Sequence, residues 1–162
     1  MVVSEMVASQ EMVEAKASVR ARAELGFDRA NTAVQIAGRE AYWMAEAAKL
    51  AAGQGARIID INMGCPAKKV TTGLGGSALM RDLDHALGLI EAVVAAVDVP
   101  VTLKTRLGWD DTRMNAPDIA ARAEAAIASR AVPESTISPL AITGIDTAST
   151  TVLIAAQSAA PL

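Results

Sequence analysis

Apolar residues along the chain follow two alternating rhythms. Short runs rich in Val and Ile, over 2–6 (VVSEM), 32–38 (TAVQIAG), 56–64 (ARIIDINMG) and 99–109 (VPVTLKTRLGW), have the length and composition of strands. Between them, apolar positions recur every three or four residues. Met12, Ala15, Val19 and Ala23 predict a helix over 10–25, and 40–55 (EAYWMAEAAKLAAGQG) reads as a helix stopped by Gly53 and Gly55. Leu83, Leu87, Ile90, Val94 and Val97 put an apolar face on a helix over 82–97, and Asn115, Pro117 and Asp118 start another. Strand followed by helix, repeated in this way, predicts βα units on a parallel sheet.

Such units build either an open doubly wound sheet or a (β/α)₈ barrel. No G-x-G-x-x-G follows the first strand, which disfavours a dinucleotide-binding sheet. Polar residues gather at or near the strand ends: Glu5, Gln35, Asn62 with Cys65, and Lys104 with Arg106. That placement suits a barrel whose site lies at the C-terminal mouth of its strands, and a whole barrel takes about 250 residues. The expected fold class is therefore α/β, a partial TIM barrel of about four βα units over residues 1–125. Residues 126–162 break the rhythm. Their charged residues are Arg130, Glu134 and Asp146 alone, and Ser, Thr and Ala dominate, so this segment is expected to be an irregular or disordered tail, of the kind a shifted reading frame produces.

Composition narrows the classes of function. The 162 residues are 52% hydrophobic and 20% charged with a net charge of -3, which describes a soluble globular chain. Aromatics are only 2%, so the core must be built from Ala, Val, Ile, Leu and seven Met. The slightly acidic balance leaves no broad electrostatic footprint for nucleic acid, and any RNA contact has to be local. A single cysteine excludes an internal disulfide and fits a reducing compartment. The absence of an apolar run of about 18 residues and of a basic stretch in "MVVSEMVASQ" leads to the expectation of a cytoplasmic protein without a membrane partner. No Cys/His cluster supports a metal site.

Four segments, "VVSEMVAS", "VQIAG", "IIDINMGCPAKKVTTGLGGSALMRD" and "VPVTLKTRLGWDD", together resemble the tRNA-dihydrouridine synthases, in the bacterial branch whose catalytic loop contains Lys-Lys-Val. The resemblance runs from about Val2 to Ala125. It implies an FMN-dependent oxidoreductase that reduces uridine in tRNA to 5,6-dihydrouridine, with NADPH as the reductant of the flavin. In that chemistry hydride passes from N5 of reduced FMN to C6 of uracil while an acid on the opposite face protonates C5, and the resemblance makes Cys65 that acid. A thiol, with an ordinary pKa of ~8.5, holds its proton near neutral pH and is able to release it. On the residues alone, Cys65 reads as readily as a small buried hydrophobe. The glycines of "AKKVTTGLGG" would let Cys65 move over a bound base, or serve an ordinary βα connection.

Gln35 and Lys104 fall on positions that contact FMN in the family. An amide pairs with the polar edge of the isoalloxazine, and an ammonium near its N1–C2=O region stabilises the anionic reduced ring. Lys104 stands in an otherwise apolar strand, where a cation needs a partner. Asn62 is a candidate for the uracil edge and Arg106 for a flavin or RNA phosphate, and both are equally suited to neighbouring backbone groups. Lys68 and Lys69 read as RNA backbone contacts or as a solvated loop. His85 falls off its helix's apolar stripe and is expected to be exposed, and Trp109, Asp110 and Asp111 read as loop structure. The family's late-strand phosphate site and helical tRNA-binding domain are not recognisable after Ala125. Weak or no retention of FMN and weak or lost binding of tRNA are therefore expected, with self-association through open sheet edges. The alternative is an inactive remnant or interaction fragment of such an enzyme. A third reading, an FMN barrel enzyme acting on free pyrimidines, is disfavoured by the "AKKVTTGLGGSALM" continuation.

Overall fold

A computed structural model describes residues 2–14, 32–129, 141–146 and 149–153. The sheet starts with β1 (Val2–Val3) and β2 (Val7–Ala8), both parallel to β3 (Thr32–Ala37), with Val2 opposite Thr32 and Val7 opposite Ile36. The single strand expected over 2–6 is thus two short pieces. Between them the Ser4 hydroxyl accepts the Gln35 backbone N–H at 3.1 Å. β4 (Ile58–Met63) pairs in parallel with β3, and β5 (Val101–Thr105) with β4.

The helices alternate with these strands. They are α1 (Ser9–Val13), α2 (Ala41–Gly53), the one-turn α3 (Lys68–Thr71), a 3-10 helix (Gly76–Arg81), α4 (Leu83–Ala96) and α5 (Ala116–Ser129). Of the helix expected over 10–25, the described part is α1, which ends at Val13 with Glu14 as its C-cap, and residues 15–31 lie outside the described residues. Parallel strands lie side by side in chain order, and α1 packs on α2, α2 on α4 and α4 on α5. A doubly wound sheet reverses its strand order and covers both faces with helices. Here the order does not reverse and the helices form one layer, which is the arrangement of a partial (β/α)₈ barrel.

Strand alternation then separates two faces. Val34, Ile36, Ile59, Ile61, Met63, Val101 and Leu103 join one apolar core with Met44, Ala47, Ala48, Leu89, Ile90 and Val93 of the helices. Gln35, Asp60, Asn62, Thr102 and Lys104 occupy the opposite face, the lumen side. The core's small aliphatic and thioether side chains allow close helix–sheet approach without aromatics.

Helix α2 ends as its glycines suggested, but only Gly55 carries the left-handed turn, at φ 99°. Gly55 N–H donates to Ala52 C=O at 2.9 Å and Ala56 N–H to Ala51 C=O at 3.0 Å, the paired bonds of a Schellman stop. Helix α4 begins with Asp82, whose carboxylate accepts His85 N–H at 3.0 Å. Its buried stripe is Ala86, Leu89, Ile90, Val93 and Val94, whereas Leu83, Leu87 and Val97 from the expected stripe are only half-buried. The buried face is rotated toward Ala86, which is fully buried in the core cluster.

Where the sequence suggested an irregular tail, the described residues include two strands, β6 (Ala141–Asp146) and β7 (Ser149–Leu153). They form an antiparallel ribbon whose β7 pairs antiparallel with β5, Lys104 standing opposite Thr151. Their β-branched content suits strands, and the register shift between Thr143 and Ile145 coincides with Gly144, a residue that tolerates a bulge. This ribbon departs from the βα rhythm of the first 125 residues. The rest of 126–162, beyond α5 and these strands, lies outside the described residues.

Candidate active site

The site is built outward from β4. Asp60 and Asn62 are two residues apart and therefore share the lumen face, although the strand around them is apolar. In register, Asp60 stands between Gln35 of β3 and Thr102 of β5, and Asn62 stands beside Lys104. Gln35 Nε2 donates to Asp60 Oδ2 at 2.5 Å, and Thr102 Oγ1 donates to Asp60 Oδ1 at 2.6 Å. Asn62 Nδ2 donates in turn to Gln35 Oε1 at 2.7 Å. All four side chains are buried, Asp60 at 7% exposure and Asn62 at 3%.

This chain of bonds ends at the cysteine. Asn62 Oδ1 accepts the backbone N–H of Gly64 at 3.1 Å and of Cys65 at 3.0 Å, closing a turn at the end of β4. The Cys65 carbonyl accepts the Ser77 N–H at 3.0 Å. Gly76, at φ 57°, lies so close that a Cβ there would fall 2.6 Å from the Cys65 oxygen and 2.9 Å from Val70 Cγ1. Cys65 is a free thiol, half-buried, with its backbone held on both sides. The loop glycine nearest to it serves close packing rather than freedom of movement.

Charge on the lumen face is sparse. Burial pushes the Asp60 carboxyl above the ordinary carboxylate range, against the downward pull of the Thr102 and Gln35 hydrogen bonds and the Lys104 charge. Lys104 is half-buried, and among the described residues no carboxylate lies within ion-pair distance of it. Its charge is felt through space by Asp60.

Of the residues singled out from sequence, the fold brings together Gln35, Asn62, Cys65 and Lys104. Arg106 follows β5 directly, half-buried, its Cγ 3.7 Å from where a Cβ on Gly64 would stand. Lys68 is exposed at the start of α3, and Lys69 has no described side chain. His85 is exposed and lines a cavity of about 440 Å³ with Arg81, Asp82 and Arg113, a lining that includes none of Gln35, Asp60, Asn62 and Thr102. Trp109 is part of a loop turn: its N–H donates to the Arg113 carbonyl at 3.1 Å, and the Arg81 guanidinium lies 5.1 Å above its ring. Asp110 accepts from the Thr112 hydroxyl at 2.6 Å, and that bond holds its carboxyl below the usual range.

Sequence reasoning missed Asp60 and Thr102. The available signal was spacing, since each precedes an assigned residue by two, Asp60 before Asn62 and Thr102 before Lys104. Among the described residues no group of His, Cys, Asp and Glu is arranged to hold a metal ion, and no helix is long and apolar enough to cross a membrane.

Comparison with known proteins agrees on one family. The model of the family described as dihydrouridine synthase (Dus) matches residues 1–130. The chain is 69% identical over 127 residues to a probable tRNA-dihydrouridine synthase of Rhodobacter capsulatus, a match covering 78% of this chain and 39% of the relative. It is 67% identical over 125 residues to a probable tRNA-dihydrouridine synthase of Rhizobium leguminosarum bv. phaseoli, covering 77% and 39%. With tRNA-dihydrouridine synthase B of Proteus vulgaris the identity is 50% over 124 residues, covering 76% and 38%. The chain thus matches about two fifths of the length of these curated relatives.

Proposed function

The chain belongs to the dihydrouridine synthase family, and on that premise we propose that it serves the FMN-dependent reduction of uridine to 5,6-dihydrouridine in tRNA, with Cys65 as proton donor. The observation that carries this reading is the turn in which one Asn62 oxygen takes the N–H groups of both Gly64 and Cys65. It holds a free thiol at the mouth of a polar sheet face.

The donor set on that face suits a flavin ring. Gln35 and the Lys104 ammonium offer N–H groups, and the polar edge of an isoalloxazine is made largely of acceptors. Reduced FMN, when bound and kept reduced by NADPH, supplies the hydride for uracil C6. Gln35 and Lys104 hold the ring edge, and the positive charge of Lys104 offsets negative charge on a reduced ring. Asn62 keeps one N–H for a carbonyl of the uracil, and Arg106 at the rim meets a flavin or RNA phosphate. Cys65 Sγ gives its proton to C5: the S–H bond breaks, the C5–H bond forms from the former C5=C6 pair, and the thiolate regains a proton from solvent. Lys68 contributes to RNA backbone contact. The proposed compartment is the cytoplasm, whose reducing conditions keep a lone thiol free.

The test is direct. Incubated with FMN, NADPH and tRNA lacking the modification, the chain is expected to yield dihydrouridine by nucleoside mass spectrometry. No dihydrouridine at saturating FMN and NADPH would contradict the reading.

A further inference from the structure

We infer that Asp60 is a positioning residue that sets the hydrogen-bond polarity of the lumen face, turning Gln35 and Asn62 into donors and so selecting a planar ring whose edge presents adjacent acceptors. The inference deepens the proposed function and rests on it for the identity of the ring.

A primary amide is ambivalent, since its oxygen accepts and its nitrogen donates twice. Nothing in an isolated Gln or Asn decides which end faces a ligand. Here the decision starts at Asp60. In its ionised form Asp60 only accepts, and the Gln35 group that meets Oδ2 at 2.5 Å is then the NH₂. Gln35 Oε1 is thereby turned toward Asn62, whose NH₂ must donate to it at 2.7 Å. Asn62 Oδ1 then meets the two backbone N–H groups of Gly64 and Cys65, which need an acceptor. Both ends of the relay agree on one orientation. Thr102 secures the start, its hydroxyl donating to Asp60 Oδ1 at 2.6 Å.

An inventory of leftover groups shows the consequence. Gln35 and Asn62 each commit one N–H and keep one, while the Asn62 oxygen is filled by two bonds and the Gln35 oxygen by one. With the Lys104 ammonium in the next rung, the face offers donors in excess. A ring edge carrying contiguous carbonyl and imine acceptors is matched, and one carrying amino groups is not.

The experiment uses lumiflavin, a flavin ring without the ribityl phosphate, titrated into the whole chain while side-chain NH₂ resonances of Gln35 and Asn62 are followed by ¹⁵N NMR. In the unsubstituted chain one proton of each NH₂ is expected to be slow to exchange, and the second proton of the Gln35 NH₂ to shift on titration. Asp60→Leu removes the acceptor that holds the Gln35 NH₂ and leaves Gln35 anchored only through its oxygen to Asn62, so lumiflavin should bind about tenfold or more weaker, as loss of at least one good hydrogen bond implies. Asp60→Asn should restore binding to within about twofold, because its oxygen still accepts from Gln35 and the Thr102 hydroxyl is able to accept from its nitrogen. Asp60→Asn lacks the negative charge, so this rescue separates polarity from charge. The inference is overturned if Asp60→Asn is as weak as Asp60→Leu, if Asp60→Leu binds like the unsubstituted chain, or if lumiflavin leaves both NH₂ groups unmoved. Should Asp60→Leu fail to fold, the resonances of the unsubstituted chain and of Asp60→Asn still decide. Ring binding without dihydrouridine formation refutes the proposed reaction alone, and these outcomes refute the polarity role alone.

Discussion

Strand β4 sends Ile59, Ile61 and Met63 to one side and Asp60 and Asn62 to the other, and the two sides obey different physics. Toward the helices, every contact is apolar and nondirectional, so stability grows with area and volume filled. Toward the lumen, four buried polar side chains are satisfied only in one mutual orientation, so what is gained is direction. The same six residues of β4 serve both because a period of two keeps the requirements apart. The apolar side tolerates exchange of one aliphatic group for another of equal volume. The polar side tolerates no such exchange, since each group is defined by its partner's donor or acceptor character.

The sharpest way to break this comparison is to cut the apolar side. Ile61→Ala empties a fully buried position and is expected to lower the unfolding free energy by about 2–5 kcal/mol in urea titrations. A loss under about 1 kcal/mol would mean that the helix layer does not hold the strand. Next in size is Gly76→Ala, where a Cβ meets the Cys65 oxygen at a left-handed backbone position. It should cost more than about 1 kcal/mol and also change the rate at which Cys65 reacts with iodoacetamide. An unchanged alkylation rate would show that the loop does not hold the thiol.

The smallest effect is the pH dependence carried by Asp60. Its carboxyl stands above the ordinary range in the folded chain, so the folded state binds that proton more tightly than the unfolded state. Its contribution to stability is fully present below the unfolded value of ~3.9 and is lost as pH rises through the folded value. Relative to Asp60→Asn, the unsubstituted chain should therefore lose stability as pH climbs through that window. A gain over the same window would mean that the Thr102 and Gln35 hydrogen bonds and the Lys104 charge outweigh burial at Asp60.

The apolar side was largely legible in the sequence, because β3, β4, β5 and the helices between them announce themselves by local periodicity and by the Gly55 stop. The expected stripe of α4 slipped because Ala86 counts little in a hydrophobic pattern and yet is where the helix touches the core. Asn62 and Cys65 were legible as a strand-end pair. Asp60 was not, because its partners Gln35 and Thr102 lie 25 and 42 positions away and only strand register brings them together. Pairing of β7 with β5 is nonlocal in the same sense, and its low-charge sequence carries no helix–strand rhythm to signal it.

On the proposed reading, the polar side delivers the Cys65 thiol for chemistry, and the thiol itself contributes little to holding the fold. Cys65→Ala beside the unsubstituted chain measures both, with dihydrouridine formation in tRNA and thermal unfolding followed on the same preparations. The account predicts a turnover lower by roughly 10²–10⁴-fold, the usual worth of a placed general acid, and an unfolding temperature that does not move. Equal turnover in the two chains, or a loss of activity that merely tracks unfolding, would contradict it.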